Sequence, residues 1–168
     1  MDLSEFAVDF LEGALSTVED EKISQEDAIT NDILEYTFDS GEVIAAEICH
    51  YKVRGIKINA WNYDEDNDAI DLFVTIFKSE QRLTRVSDKD ISDAFSKAEN
   101  FFWSARQGKL STKVDESDIA IFDVVQVVEQ TKDIVKNVRI FVFTNGQSSA
   151  DIIPEPREEN DIYIDFQL

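Results

Sequence analysis

Basic residues are scarce in this 168-residue sequence: 16 lysines and arginines stand against 36 aspartates and glutamates, for a formal charge of -20. Such a chain repels a bare phosphate backbone, and its basic residues show no clustered stripe, so direct nucleic-acid binding is not expected of it. The acids are spread along the chain instead of forming a tail, as on a heavily solvated surface; a cation site or a basic partner is the other use for them. The single cysteine, Cys49, excludes an intramolecular disulfide and a thiol pair for zinc, and fits a reducing compartment. The lone histidine, His50, lacks the partners that a metal site or a catalytic triad demands. Five glycines form no Gly-rich phosphate loop. Residues Met1 to Glu12 are acidic where a signal peptide is basic, and no apolar run is long enough to span a bilayer. The expectation is a soluble cytoplasmic protein with no membrane contact.

What the sequence does contain is enough apolar residues, 43%, for one domain with a proper core over residues 1–168. Its organising stretch runs from Gly55 to Lys78. Ile56, Ile58, Ala60 and Asn62 alternate with Lys57, Asn59, Trp61 and Tyr63, the period of a half-buried strand. After an acidic turn, Asp64 to Asp68, comes a strand apolar on both faces: Ile70, Leu72, Val74 and Ile76 on one side, Phe73 and Phe77 on the other. With Glu65 opposite Ile70, Asn59 falls opposite Ile76, and Lys78 follows on the same face.

Around this hairpin the periodicity predicts a helix over residues 4 to 18 behind Asp2 or Ser4, with Leu3, Phe6, Phe10 and Leu11 at helical spacing. Val18 to Lys22 reads as a charged connection. Ser24 and Asp27 cap a second helix, with Ile29, Ile33, Leu34 and Phe38 as its stripe and Ser40 and Gly41 as its stop. A strand follows from about Ala46. Asp88 to Gln107 is the clearest helix, capped by Ser87 or Asp88 and striped by Ile91, Phe95, Ala98, Phe102 and Ala105. Ser117 to Lys132 is a helix whose β-branched content also allows a strand. Val138 to Phe143 reads as a buried strand, Asp151 to Asn160 as a Pro and Glu rich loop, and Asp161 to Phe166 as a last strand. The fold class expected is α/β or α+β, with a mixed central sheet flanked by helices.

The candidate constellations are few. Asp64, Asp66 and Asp68 resemble the start of a calcium loop, but that loop needs Gly where Ala69 stands and Glu where Thr75 stands, so they read as a turn. Trp61, Trp103, Phe101 and Phe102 lack the flanking cations of a base-stacking surface and read as core or protein contact.

Several segments carry a family likeness: SQEDAITNDILEYTFDSGE, RGIKINAWNYDED, IDLFVTIF, DAFSKAENFF and VRIFVFTNG, in this order. They resemble the N-terminal domain of the abortive-infection phage-resistance family of bacterial defence proteins, whose N-terminal region is similar to restriction-endonuclease-like nucleases. The resemblance implies an αβββαβ order and a divalent cation, Mg²⁺ or Mn²⁺, held by an acid on the second strand and an acid-x-Lys triplet on the third. The residues matching those positions here are Asn59, Ile76 and Lys78, so both carboxylates are missing. Asn offers one neutral oxygen to a hard cation and Ile none. Either the site is a degenerate relic with no cofactor and no catalytic residue, or the alignment is shifted and Glu47, Asp64 or Asp71 supplies the acid. The resemblance also implies that the chain is the N-terminal part of a longer polypeptide.

Three functions are thus expected in order: a non-catalytic nuclease-like module of a phage-defence protein, docking on the remainder of its own polypeptide or on another, basic protein; an active Mg²⁺-dependent nuclease domain; and an acidic nucleic-acid mimic.

Overall fold

The computed structural model describes residues 2–21, 24–80, 82–149 and 152–168. Four helices, α1 (Leu3–Glu21), α2 (Gln25–Ser40), α3 (Asp88–Arg106) and α4 (Ile119–Gln130), flank six strands, β1 (Glu47–Val53), β2 (Ile56–Asp64), β3 (Ala69–Ile76), β4 (Asn137–Thr144), β5 (Arg157–Glu159) and β6 (Ile162–Gln167). The strands form one mixed sheet in the order β1-β2-β3-β4-β6-β5. The β1–β2–β3 meander is antiparallel, β4 lies parallel to β3, β6 parallel to β4, and β5 antiparallel to β6. This is an α+β domain with the expected mixed sheet.

Local chemistry sets the helix ends. The Ser24 hydroxyl accepts from Asp27 N–H and the Ser87 hydroxyl from Asp90 N–H, each meeting a donor that a first helical turn leaves unsatisfied. Gly41 closes α2 at φ 78, a left-handed conformation that costs glycine little, and returns its N–H to Phe38 O.

The sheet is covered on both faces. Ile70, Leu72 and Val74 of β3 join Ile91, Phe95, Ala98, Phe102 and Ala105 of α3 in the larger core, to which α4 adds Ile121, Val124, Val125 and Val128. On the other face Phe73, Phe141 and Phe143 meet Leu34 of α2, with Phe73 and Phe141 stacked at 4.9 Å. A third cluster joins Leu11 and Ala14 of α1 to Ala28 and Ile29 of α2, with Phe77 against it. β3 is therefore the doubly covered centre of the sheet. Each such large side chain, once buried, contributes roughly 1.5–3 kcal/mol.

Four expectations need correction. α1 continues to Glu21 where a connection from Val18 was expected, while Lys22 lies outside the described residues. The helix expected over Ser117 to Lys132 is present as α4 but shorter, at Ile119–Gln130, and burial of its valines outweighs the weak helix propensity that left a strand open. Within the expected loop, of which Asp151 lies outside the described residues, Arg157–Glu159 pairs with β6 as a strand. The hairpin register is also displaced by two residues: Tyr63, not Glu65, faces Ile70. The cause is the turn, where the Asp64 carboxylate accepts from Asp66 N–H and Asn67 N–H and Asp68 adopts φ 50, so that the loop closes on Asp64 and Ala69.

Candidate functional site

The alternation expected of β2 fails at one place. Ile58 and Trp61 both join the larger core, while Ala60 joins the opposite one. At the same place the ladder between β1 and β2 slips. β1 pairs Ile48 with Ala60 and Tyr51 with Ile58, leaving Cys49 and His50 opposite Asn59. Such bulges bend a strand and re-aim its side chains.

Beside this bulge a polar network lies between the first turn of α2 and the end of β3. Asn59, Thr30 and Thr75 are fully buried. Thr75 N–H donates to Asn59 Oδ1 at 2.8 Å, and Thr75 C=O accepts from Lys57 Nζ at 2.8 Å. Two β2 side chains thus meet both main-chain groups of a β3 residue. Asn59 Nδ2 in turn donates to Glu26 Oε1 at 2.6 Å, and the same carboxylate oxygen pairs with the Lys57 ammonium. The Thr30 and Thr75 hydroxyls share a hydrogen bond at 2.6 Å, and Thr30 also donates to Glu26 C=O at 2.8 Å. Next to it His50 Nδ1 lies 3.3 Å from Asp27 Oδ1. The Asp27 hydrogen bond holds the His50 pKa above its ordinary value, against desolvation. Burial raises the Asp27 carboxyl, but the His50 and Ser24 hydrogen bonds outweigh it and leave the carboxyl below its ordinary value.

The structure places the residues singled out in the sequence as follows. Asn59 is inside this network. Ile76 is half-buried and packs toward the α3 side. The Lys78 main chain is held by Asn145, whose Oδ1 accepts its N–H at 2.8 Å and whose Nδ2 donates to its carbonyl at 2.7 Å. Ile76 and Lys78 line a cavity of about 320 Å³ that also reaches Glu26, Lys57 and Thr75. None of the three alternative acids lines that cavity. Glu47 is exposed at the start of β1. The Asp64 carboxylate is engaged in its turn, where it also accepts from Asn67 Nδ2 at 2.7 Å. Asp71 is fully buried and bound by Arg139, Nε to Oδ1 at 2.7 Å and Nη2 to Oδ2 at 2.6 Å.

Sequence reasoning missed Glu26, Lys57 and Thr75. It also saw no clustering of basic residues, yet Lys52, Lys57, Lys78 and Lys97 all line this one cavity, beside Glu26, Asp90 and Asp93. Lysines distant in sequence meet there because α3 crosses the end of the meander.

Around Asn59 and Ile76, the positions that the family resemblance assigns to metal ligands, the donors do not fit a divalent cation of the Mg²⁺ or Mn²⁺ kind. The Asn59 oxygen is used by Thr75 N–H, Glu26 is neutralised by Lys57, and Ile76 supplies nothing. Hard cations need several oxygens, most of them charged. Among the described residues no three His, Cys, Asp or Glu side chains are grouped so as to hold a metal. What the network does is fix α2 to the sheet across a bulge. Also among the described residues, no helix is long and apolar enough to cross a membrane.

Fold and site together define an α+β domain whose central meander is tied to α2 by a polar knot of Glu26, Lys57, Asn59 and Thr75. A family model, the abortive infection phage resistance protein N-terminal domain, matches residues 29–168. The chain belongs to this family and is a module of a phage-defence protein. No curated protein and no solved structure matches the chain. The match begins within α2, so α1 and Glu26 precede it.

Proposed function

We propose that this domain is a non-catalytic, nuclease-like module of a cytoplasmic phage-defence protein, which acts by docking on the remainder of its polypeptide or on another protein. The succession of α2, the β1–β2–β3 meander, α3 and β4, with α4 added between α3 and β4, supports a restriction-endonuclease-like ancestry. The observation that carries the reading is the knot of Glu26, Lys57, Asn59 and Thr75, in which each polar group already has its partner within the protein. An active hydrolase of this kind would need charge left over to bind metal and orient water.

A second reading, an active Mg²⁺-dependent nuclease, is favoured by the lysines lining the same cavity, which suit a phosphate. One experiment separates the two. DNA and RNA are incubated with the protein and Mg²⁺ or Mn²⁺, with calorimetric titration of each metal alongside. No cleavage and no heat of binding are expected. Metal-dependent cleavage that disappears in Lys78→Ala would overturn the non-catalytic reading.

A further inference from the structure

Helix α1 docks on α2 through Leu11 and Ala14, with Phe10 packed against that cluster, and the stripe runs on toward the N-terminus to an exposed Phe6. Phe6 and Phe10 stack on each other, and both meet Tyr36 from α2. The ring centroids are 6.0 Å apart for Phe6 and Phe10, 6.5 Å for Phe6 and Tyr36, and 6.0 Å for Phe10 and Tyr36. Despite this contact Phe6 remains 45% exposed and Tyr36 58%, so the three rings form the floor of an open groove of about 400 Å³. Asp9 of α1 and Asp32, Glu35 and Asp39 of α2 line it. Among the described residues no lysine or arginine does, and none of these four carboxylates has an ion pair. Desolvation first, and the charge of Glu35 second, push the Asp32 carboxyl above its ordinary value. The groove is therefore apolar below and electrically uncompensated at its rim.

We propose that this α1–α2 groove is a docking site for a basic amphipathic segment of a partner protein, whose arginine or lysine heads meet Asp9, Asp32, Glu35 and Asp39 while its apolar side chains cover Phe6, Phe10 and Tyr36. The chemistry selects that occupant. Aromatic faces attract cations as well as alkyl groups, and the four carboxylates add an ionic contact that a neutral apolar segment leaves unused. A second copy of the chain would bring a further charge of -20 to the same place. The site rests on the docking half of the proposed function, and peptide binding tests it independently of the nuclease assay.

The test is fluorescence anisotropy with a labelled amphipathic arginine and leucine peptide, using the 168-residue chain. Phe6→Ala with Tyr36→Ala removes two exposed rings and leaves the net charge unchanged; a loss of affinity of about tenfold or more is expected. Asp32→Asn with Glu35→Gln is expected to cost a similar factor. Glu116→Gln with Glu158→Gln makes the same change of charge at exposed positions away from the groove and is expected to change little. Spermidine, which has the charge without apolar side chains, should compete poorly. Affinity unchanged by removal of the rings, or lowered as much by the Glu116 and Glu158 pair, would reduce the binding to diffuse attraction and overturn the site. A dimer detected by sedimentation and abolished by Phe6→Ala would give the groove to a second copy and overturn it as well.

Discussion

Arg139→Met isolates Asp71, the one fully buried carboxylate among the described residues. Asp71 is flanked in the sheet by Asn62 of β2 and Arg139 of β4, and both its oxygens accept hydrogen bonds from the guanidinium. Removing one partner of a buried ion pair leaves an uncompensated charge, and costs about 3–5 kcal/mol. The lower end applies here. The Arg139 side chain is 34% exposed, so water can enter the space its head group vacates. Its methylenes also shield the Phe141 ring, over which the guanidinium lies at 5.3 Å, and methionine retains that apolar cover. A loss of about 3 kcal/mol, at a urea dependence of roughly 2 kcal/mol per molar, lowers the unfolding midpoint by about 1.5 M. The assay is equilibrium urea unfolding followed by tryptophan fluorescence. Adding Asp71→Val to Arg139→Met removes the stranded charge, and most of the lost stability should return. A single variant within about 0.5 kcal/mol of the parent would refute the reasoning, as would a double variant no better than the single. The same variants test Asp71 as a metal acid. Freed from Arg139, it should still give no heat on titration with Mn²⁺, since it does not line the cavity that Lys78 lines.

Two further outcomes follow from burial and titration. Val74→Asp places a carboxylate in the larger core, where Val74 is 1% exposed, at a cost of several kcal/mol against a total stability of roughly 5–15 kcal/mol; circular dichroism should show no cooperative melting transition. For the His50–Asp27 pair, the raised histidine value means a stabilising contribution that is fully present below pH 6.5 and lost as pH rises through the folded-state value. The lowered Asp27 value adds stability that is present above pH 3.8 and lost as pH falls through the folded-state value. Thermal unfolding across neutral pH should therefore show a decline in the parent that is absent from His50→Gln, and matching profiles would remove His50 as its source.

Much of the scaffold was legible because its signals are local. The caps at Ser24 and Ser87 and the left-handed stop at Gly41 each depend on residues within a single turn. The apolar faces of β3 show its central place directly. The site was less legible. Glu26 sits in the first turn of α2, where an acid is already explained by the positive end of the helix, so nothing local marks its reach to Asn59. β5 consists of charged residues and becomes a strand only because β6 offers it a ladder. The hairpin register turned on how the Asp64 carboxylate winds its loop, a choice that a run of five acidic and amide residues leaves open. The lysines around the cavity converge through tertiary packing alone.

The parallel pairing of β3 with β4 has a consequence for the order in which this protein takes shape. β1, β2 and β3 can assemble as soon as the meander has been synthesised, but β4 begins about sixty residues after Ile76, which at about 5–20 residues per second is a delay of several seconds. For that interval a strand as rich in isoleucine, leucine, valine and phenylalanine as β4 itself presents a bare hydrogen-bonding edge, a template for any extended chain nearby. Helix α3, made earlier than β4, can shelter one face of β3 but not its edge. In this setting the abundant acids act before folding is complete: like-charged nascent chains keep apart while the sheet waits for its missing neighbour.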